Sequence, residues 1–237
     1  MDPTDLAVAL DRELARFRDG LARAAAAPGG LDLPVAACPG WTVRDLAHHV
    51  GQVERWVCHA VDHGNPEAPA PEWPADDDLG AWFAAGAADL VAHLDVDPST
   101  PAWSFGHDKN VAFWQRRQAH EHAVHAWDLL SALGTPAEPD IETRLADDGI
   151  DEVVGMFLPR QIRLGRLTEP ADALAVVSTD TGRRWTLGSG PVAATLTGPA
   201  SDVLLALWHR RSASHPTLSW DGHPARGHEL LTLPWAP

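Results

Sequence analysis

Four long stretches of this chain repeat apolar residues every three or four positions, and each stretch ends at proline or glycine. That period is the period of an α-helix with one buried face, and the breaks divide the first 135 or so residues into helical hairpins. In the first stretch, residues 4 to 27, Leu6, Leu10, Leu14, Phe17 and Leu21 form one stripe before Pro28-Gly29-Gly30. The second opens at Thr42, with Asp45 three residues on in the manner of a capping box, and runs to Val61 ahead of Gly64 and Pro66. The third spans residues 77 to 95, with Leu79, Trp82, Phe83, Gly86, Leu90 and Leu94 on one side. The fourth covers 111 to 133 and ends at Gly134, and a fifth helical stretch, 140 to 165, is interrupted by Pro159. Four long amphipathic helices joined by short loops imply a helix bundle.

The period then changes. Residues 173–179 and 183–188 read as strands joined at Asp180-Thr181-Gly182, and 193–198 as a third. Pro199 opens a helix through Arg211, and further strands are expected at 217–220 and 229–233. The expected fold class is therefore α+β. A helical domain occupies residues 1–168 and a small α+β domain residues 169–237, with the boundary around Thr168-Glu169-Pro170.

Charge and composition exclude some functions. With 33 acidic and 18 basic residues the net charge is -15, which repels phosphate backbones and anionic membranes. The first residues carry acids where a leader would be basic, and no stretch approaches the roughly 20 apolar residues needed to cross a bilayer. Two cysteines, Cys38 and Cys58, make no disulfide framework and read as structural. A cytoplasmic protein is expected. Lys109 is the only lysine among those 18 basic residues, a bias typical of GC-rich, actinobacterial genomes.

The chemistry is concentrated on two helices. Glu121 and His125 are four apart in the fourth helix, so they stack on one face, close enough to grip one ion. E-x-x-x-H alone is common on solvated faces. In the second helix, however, Leu46, Val50, Val53 and Val57 mark the buried side, and His49 falls with them while His48 points away. An inward histidine needs a partner: a backbone carbonyl, or a metal shared with Glu121 and His125. Three protein ligands would leave a coordination position open, as in catalytic sites, and a divalent ion there can turn a bound thiol into a thiolate. This donor set accepts zinc, nickel, cobalt, manganese or iron. Asp128, seven beyond Glu121, either orients His125, binds a substrate group, or is a surface acid. Arg116 and Arg117 are solvated or paired with acids on adjacent helices, and His120 and His122 read as bystanders.

The segments CPGWTVRDLAHHVGQVERW (38–56) and RRQAHEHAVHAWD (116–128), with LTGPASDVLLALWHRR (196–211), closely resemble the mycothiol-dependent maleylpyruvate isomerase family. The resemblance implies a DinB-like metal-binding four-helix bundle followed by a small sterol-carrier-like domain. It implies His49, Glu121 and His125 as ligands of a metal, usually zinc, and mycothiol as the thiol cofactor. It also implies a catalytic arginine in the second domain, here Arg210 in preference to Arg211, which would hold the cofactor or a substrate carboxylate. Those two arginines also suit a plain helix C-terminus. The implied reaction is addition of the thiolate to a cis double bond, rotation, and elimination to the trans isomer. A thiol S-transferase acting on another electrophile would share the same site. A non-catalytic metal- or ligand-binding bundle, serving as sensor or scaffold, is the remaining alternative. The partners implied are a small electrophilic substrate and a low-molecular-weight thiol.

Overall fold

The computed structural model describes residues 1–134 and 141–237. The chain divides into two compact units, Met1–Pro139 and Asp140–Pro237.

The first unit is a bundle of four helices: α1 (Pro3–Ala26), α2 (Val43–His63), α3 (Leu79–Leu94) and α4 (Val111–Ala132). α1 starts on the Asp2 side chain, which accepts from the Asp5 N–H at 2.8 Å, with Pro3 in the first turn. Its stripe Leu6, Leu10, Leu14, Phe17 and Leu21 is buried as the spacing predicts. α2 begins with a complete capping box between Thr42 and Asp45 and ends on Gly64 in the left-handed region, at φ 63°. α1 packs on α4 and α3, and α2 packs on α3 and α4. Phe17 and Phe83 stack at 4.8 Å across the α1–α3 contact. Gly51 lets α2 meet α3, because a Cβ there would lie 2.2 Å from the Trp82 ring.

The buried face of α2 differs slightly from the expected one. Leu46, Val50, Glu54 and Val57 are fully buried, whereas Val53 is half-buried. His49 therefore stands at the rim of the core rather than within it. His48 is also half-buried, with its ring 4.6 Å from that of Trp73.

α4 is buried nearly all round, including Arg117, Gln118, His120, His122, His125 and Asp128. A helix so placed can carry polar groups only if they find partners inside the protein.

The second unit corrects the expected domain boundary. α5 (Thr143–Glu152) and α6 (Leu158–Arg163) belong to it rather than to the bundle. The expected fifth helix is thus broken, and its start at 140 lies outside the described residues. Between α5 and α6, residues Val153–Phe157 widen into a π-turn, with the Leu158 N–H bonded to the Val153 carbonyl. Pro159 explains this: its ring would meet the carbonyl four residues back in a regular helix, and the wider turn removes the conflict.

Strands β1 (Ala173–Ser178), β2 (Arg184–Leu187), β3 (Val192–Gly198) and β4 (Ser219–Gly222) form a sheet in the order β2-β1-β3-β4. β1 is antiparallel to β2 and parallel to β3, and β4 is antiparallel to β3. Central β1 is buried over Ala173–Val176, as a strand flanked on both edges requires. α7 (Ala200–Leu207) packs on β1 and β3, and α8 (Pro224–Leu231) on β1, β3 and β4. α8 replaces the strand expected at 229–233. Pro224 starts a helix there, and Gly227, Leu230 and Leu231 share its buried side at three- and four-residue spacing. Among the described residues no helix is long and apolar enough to cross a membrane.

Thr42→Ala removes the cap of the helix that carries His49. It should cost about 1 kcal/mol and lower the melting temperature by roughly 2–4 °C for a chain of this size. An unchanged melting curve would show that the capping box contributes nothing to α2.

Candidate metal centre

α2 and α4 bring three donors together. Glu121 Oε1 lies 3.4 Å from His49 Nε2 and 3.2 Å from His125 Nε2. One ligand atom from each of the three residues lies within 4.8 Å of the others. Around a small divalent ion bonded at about 2.0–2.1 Å, neighbouring ligand atoms sit roughly 3.3 Å apart. The spacing therefore fits one ion held by two imidazoles and a carboxylate, with one side unclaimed.

Four groups surround the donors, and two of them, Arg117 and Asp128, fix their orientation and charge. Arg117, one turn before Glu121 and buried, donates from Nη2 to Glu121 Oε2 at 2.5 Å. Burial opposes a charge on Glu121, but the Arg117 guanidinium and then His125 outweigh it and hold the carboxyl well below its usual range. Asp128 Oδ2 sits 2.9 Å from His125 Nδ1, so the ring presents Nε2 to Glu121. Burial disfavours the His125 imidazolium, yet the Glu121 charge and the Asp128 hydrogen bond prevail and push its pKa up to about 9. The Cys38 thiol lies 3.9 Å from Asp128 Oδ2. Trp41 flanks His49, with ring centroids 4.9 Å apart.

A cleft of 640 Å³ opens beside the centre. His49, Gln52, Trp56 and His59 line it along one side of α2, and the segment 68–71 closes the other side. These positions recur at three and four residues, so a single helix face forms the wall.

Sequence reasoning left three features unassigned. Arg117 had two readings; it is the buried partner of Glu121. Cys38 is not merely structural packing in a turn but touches Asp128. His122 points away from the donors, as expected, and finds a partner: its Nε2 lies 3.2 Å from Glu54 Oε1 with both side chains fully buried, and its Nδ1 faces the Gln118 carbonyl. This pair ties α2 to α4 at the residue next to Glu121. The spacings are in the sequence, but nothing in it marks α4 as buried on every side.

Residues 8–130 match the family profile described as the mycothiol maleylpyruvate isomerase N-terminal domain, and residues 144–227 match that family's C-terminal domain. The chain belongs to the mycothiol maleylpyruvate isomerase family. A solved structure described as the mycothiol-dependent maleylpyruvate isomerase superposes with a TM-score of 0.67 at 13% identity, covering 93% of each chain. A histidine-to-alanine mutant of that enzyme superposes with a TM-score of 0.61 at 13% identity, covering 87% of this chain and 88% of that one. At this identity the likeness establishes the fold. No curated relative matches the chain.

Arg210 and Arg211 lie in the part that matches the family's C-terminal domain, just past α7, which ends earlier than the sequence suggests. His209 takes the left-handed conformation at φ 60°, and the Arg210 and Arg211 N–H groups both return to the Leu205 carbonyl. This is a helix stop of the kind glycine usually makes. Arg211 Nε is 2.7 Å from Asp202 Oδ1, and both side chains are over nine-tenths buried. Arg210 is half-buried, its Nη1 donates to the Trp208 carbonyl at 2.8 Å, and its guanidinium lies over the Trp208 ring.

The His125 shift sets the pH dependence of ion binding. Below about 9 its imidazole is protonated, so an ion on Nε2 must displace a proton, and affinity falls as pH drops. At pH 7, calorimetry in buffers of different ionisation enthalpy should show about one proton released per ion, with affinity changing about tenfold per pH unit. Binding heats independent of the buffer would show that His125 is not displaced.

Proposed function

We propose that this chain is a metal-dependent enzyme that uses mycothiol to convert a cis carbon–carbon double bond in a small oxo-dicarboxylate of the maleylpyruvate type into the trans isomer. Family membership supports this reading, and one observation carries it: His49, Glu121 and His125 converge with ligand spacing beside an open cleft. With zinc bound there, a thiol on the vacant side would lose its proton near neutral pH and become a nucleophile, which isomerisation returns unchanged.

The chain's residues have distinct tasks in this reading. His49, Glu121 and His125 hold the ion. Arg117 keeps Glu121 ionised and fixes its second oxygen. Asp128 is a positioning residue that holds His125 with Nε2 toward the ion. The cleft wall on α2 offers space for the reacting groups next to His49. Arg210 is proposed to grip a carboxylate of the substrate or cofactor. Arg211, with its side chain buried against Asp202, has a structural task. Neither Cys38 nor Cys58 is in a disulfide, which suits a reducing, cytoplasmic setting.

Elemental analysis of the purified protein should find about one zinc per chain, lost in His49→Ala and Glu121→Ala. Mycothiol plus maleylpyruvate should then give the trans product with no net loss of thiol, and neither variant should turn over. Steady consumption of thiol with a stable conjugate would instead make the protein a thiol S-transferase. Metal-loaded protein inert toward mycothiol and a panel of electrophiles would leave a binding module.

The two arginines separate by their readouts. Arg210→Met should raise KM for the carboxylate substrate tenfold or more with little change in melting temperature. Arg211→Met should destabilise the fold by about 3–5 kcal/mol, because it strands a buried Asp202. The reverse pattern would exchange their roles.

A further inference from the structure

His125 faces donors on both edges of its ring. Its Nε2 belongs to the centre described above. Its Nδ1 edge faces a second group, in which a His125 ring nitrogen, an Asp128 carboxylate oxygen and the Cys38 sulfur all lie within 4.8 Å of one another. Nδ1 is 2.9 Å from Asp128 Oδ2, and the sulfur is 3.9 Å from that same oxygen. A tetrahedral ion with sulfur at about 2.3 Å and nitrogen or oxygen at about 2.0–2.1 Å would need separations of roughly 3.6 Å and 3.3 Å. The two separations from Asp128 Oδ2, 2.9 Å to Nδ1 and 3.9 Å to the sulfur, are each within about 0.4 Å of these values, and the third is at most 4.8 Å.

The local fold holds this geometry. Asp128 is 1% exposed and sits one turn after His125 on α4. Cys38 is fixed in the turn before α2, where its N–H donates to the Val35 carbonyl at 3.0 Å and its carbonyl accepts from the Trp41 N–H at 2.9 Å. Half-buried Cys38 is the exposed side of the group and the route by which an ion would enter.

We infer that Cys38, Asp128 and His125 Nδ1 form a second metal site, selective for thiophilic ions such as zinc, cadmium or cuprous copper. Thiolate and imidazole favour these ions over magnesium, calcium or manganese. Binding sends the thiol proton and the Nδ1 proton to solvent and replaces the hydrogen bond between His125 and Asp128. An ion there puts a second positive charge across the His125 ring from the first centre and weakens ion binding at Nε2, so the second site is inhibitory: excess soft metal opposes the centre that one ion activates. The inhibition rests on the proposed first centre, but the second site's existence does not.

Titrating metal-free full-length protein with Co²⁺ tests this directly, because only a cobalt–thiolate bond gives an intense charge-transfer band in the near ultraviolet. The wild type should take up a second ion per chain with that band. Cys38→Ser, or Cys38→Ala where the serine variant does not fold, should lose the band and the second ion. Cys58→Ser should keep both, since the Cys58 thiol is pushed up to about 12 by burial and by neighbouring acids. His49→Ala should keep the band while losing the first ion, which separates failure of the first centre from failure of the second. Saturation of folded wild type without the band, or a band surviving in the Cys38 variant, would overturn the inference.

Discussion

The arrangement of the donors depends on the ion pair between Arg117 and Glu121. Both residues come from α4, and Arg117 is buried. Without the guanidinium, burial would drive the Glu121 carboxyl toward its neutral form, which is a poor metal ligand and a weaker partner for His125. With it, Glu121 stays charged, and that charge in turn keeps His125 protonated before any ion arrives. The two histidine contacts of the centre both meet one oxygen, Oε1, because the other is taken by Arg117. One side chain thus fixes which carboxylate oxygen the site presents.

Two more polar groups of α4 follow the same rule. His122 is paired with Glu54, and Asp128 with His125 and Cys38. Each of these contacts except that between Asp128 and His125 reaches another element, so the polar groups that make α4 costly to bury also set its register against α2 and the turn before it. Packing of Leu, Val and Phe side chains would tolerate small sliding of one helix on another. A hydrogen-bonded pair such as His122 and Glu54 does not, and it lies next to the donors whose spacing must be held within a few tenths of an ångström.

Much of this was legible in the sequence, for a definite reason. α1, α2 and α3 each have one wet face, so their apolar residues recur with the helical period and their caps are local signals; Thr42, Asp45 and Gly64 mark α2 at both ends. The metal ligand candidates could be picked because i,i+4 spacing is a property of any helix. What stayed hidden depends on tertiary burial. α4 has no wet face to reveal, so Arg117 could be read as solvated or paired, and no partner could be named for His122. Val53 continued the apolar spacing of α2 but the core turned toward Glu54 instead, since that carboxylate meets His122. The stretch 140–165 has helical period and could join either unit. Its assignment to the second is settled by α5 packing on α7 and the widened turn packing on β2, contacts that no local pattern records. In the same way the short run at 229–233 had the length of a strand, and Pro224 five residues earlier was the signal that it ends a helix.

The charge balance at the centre connects the fold with the chemistry proposed for it. Glu121 and Asp128 are offset by Arg117 and protonated His125, so the buried group is close to neutral as it stands. A divalent ion that displaces the His125 proton leaves one net positive charge, and one thiolate cancels it. Burial penalises any uncompensated charge. The state that best fits this pocket electrically is therefore one with both the ion and a single anionic ligand present. A carboxylate or hydroxide would satisfy the same count, which is why the identity of the reacting anion rests on the cleft and the family rather than on the donors. The protein's overall charge of -15 gives no help in attracting an anion to the site. A local positive charge, created only when the ion binds, supplies that attraction where it is needed.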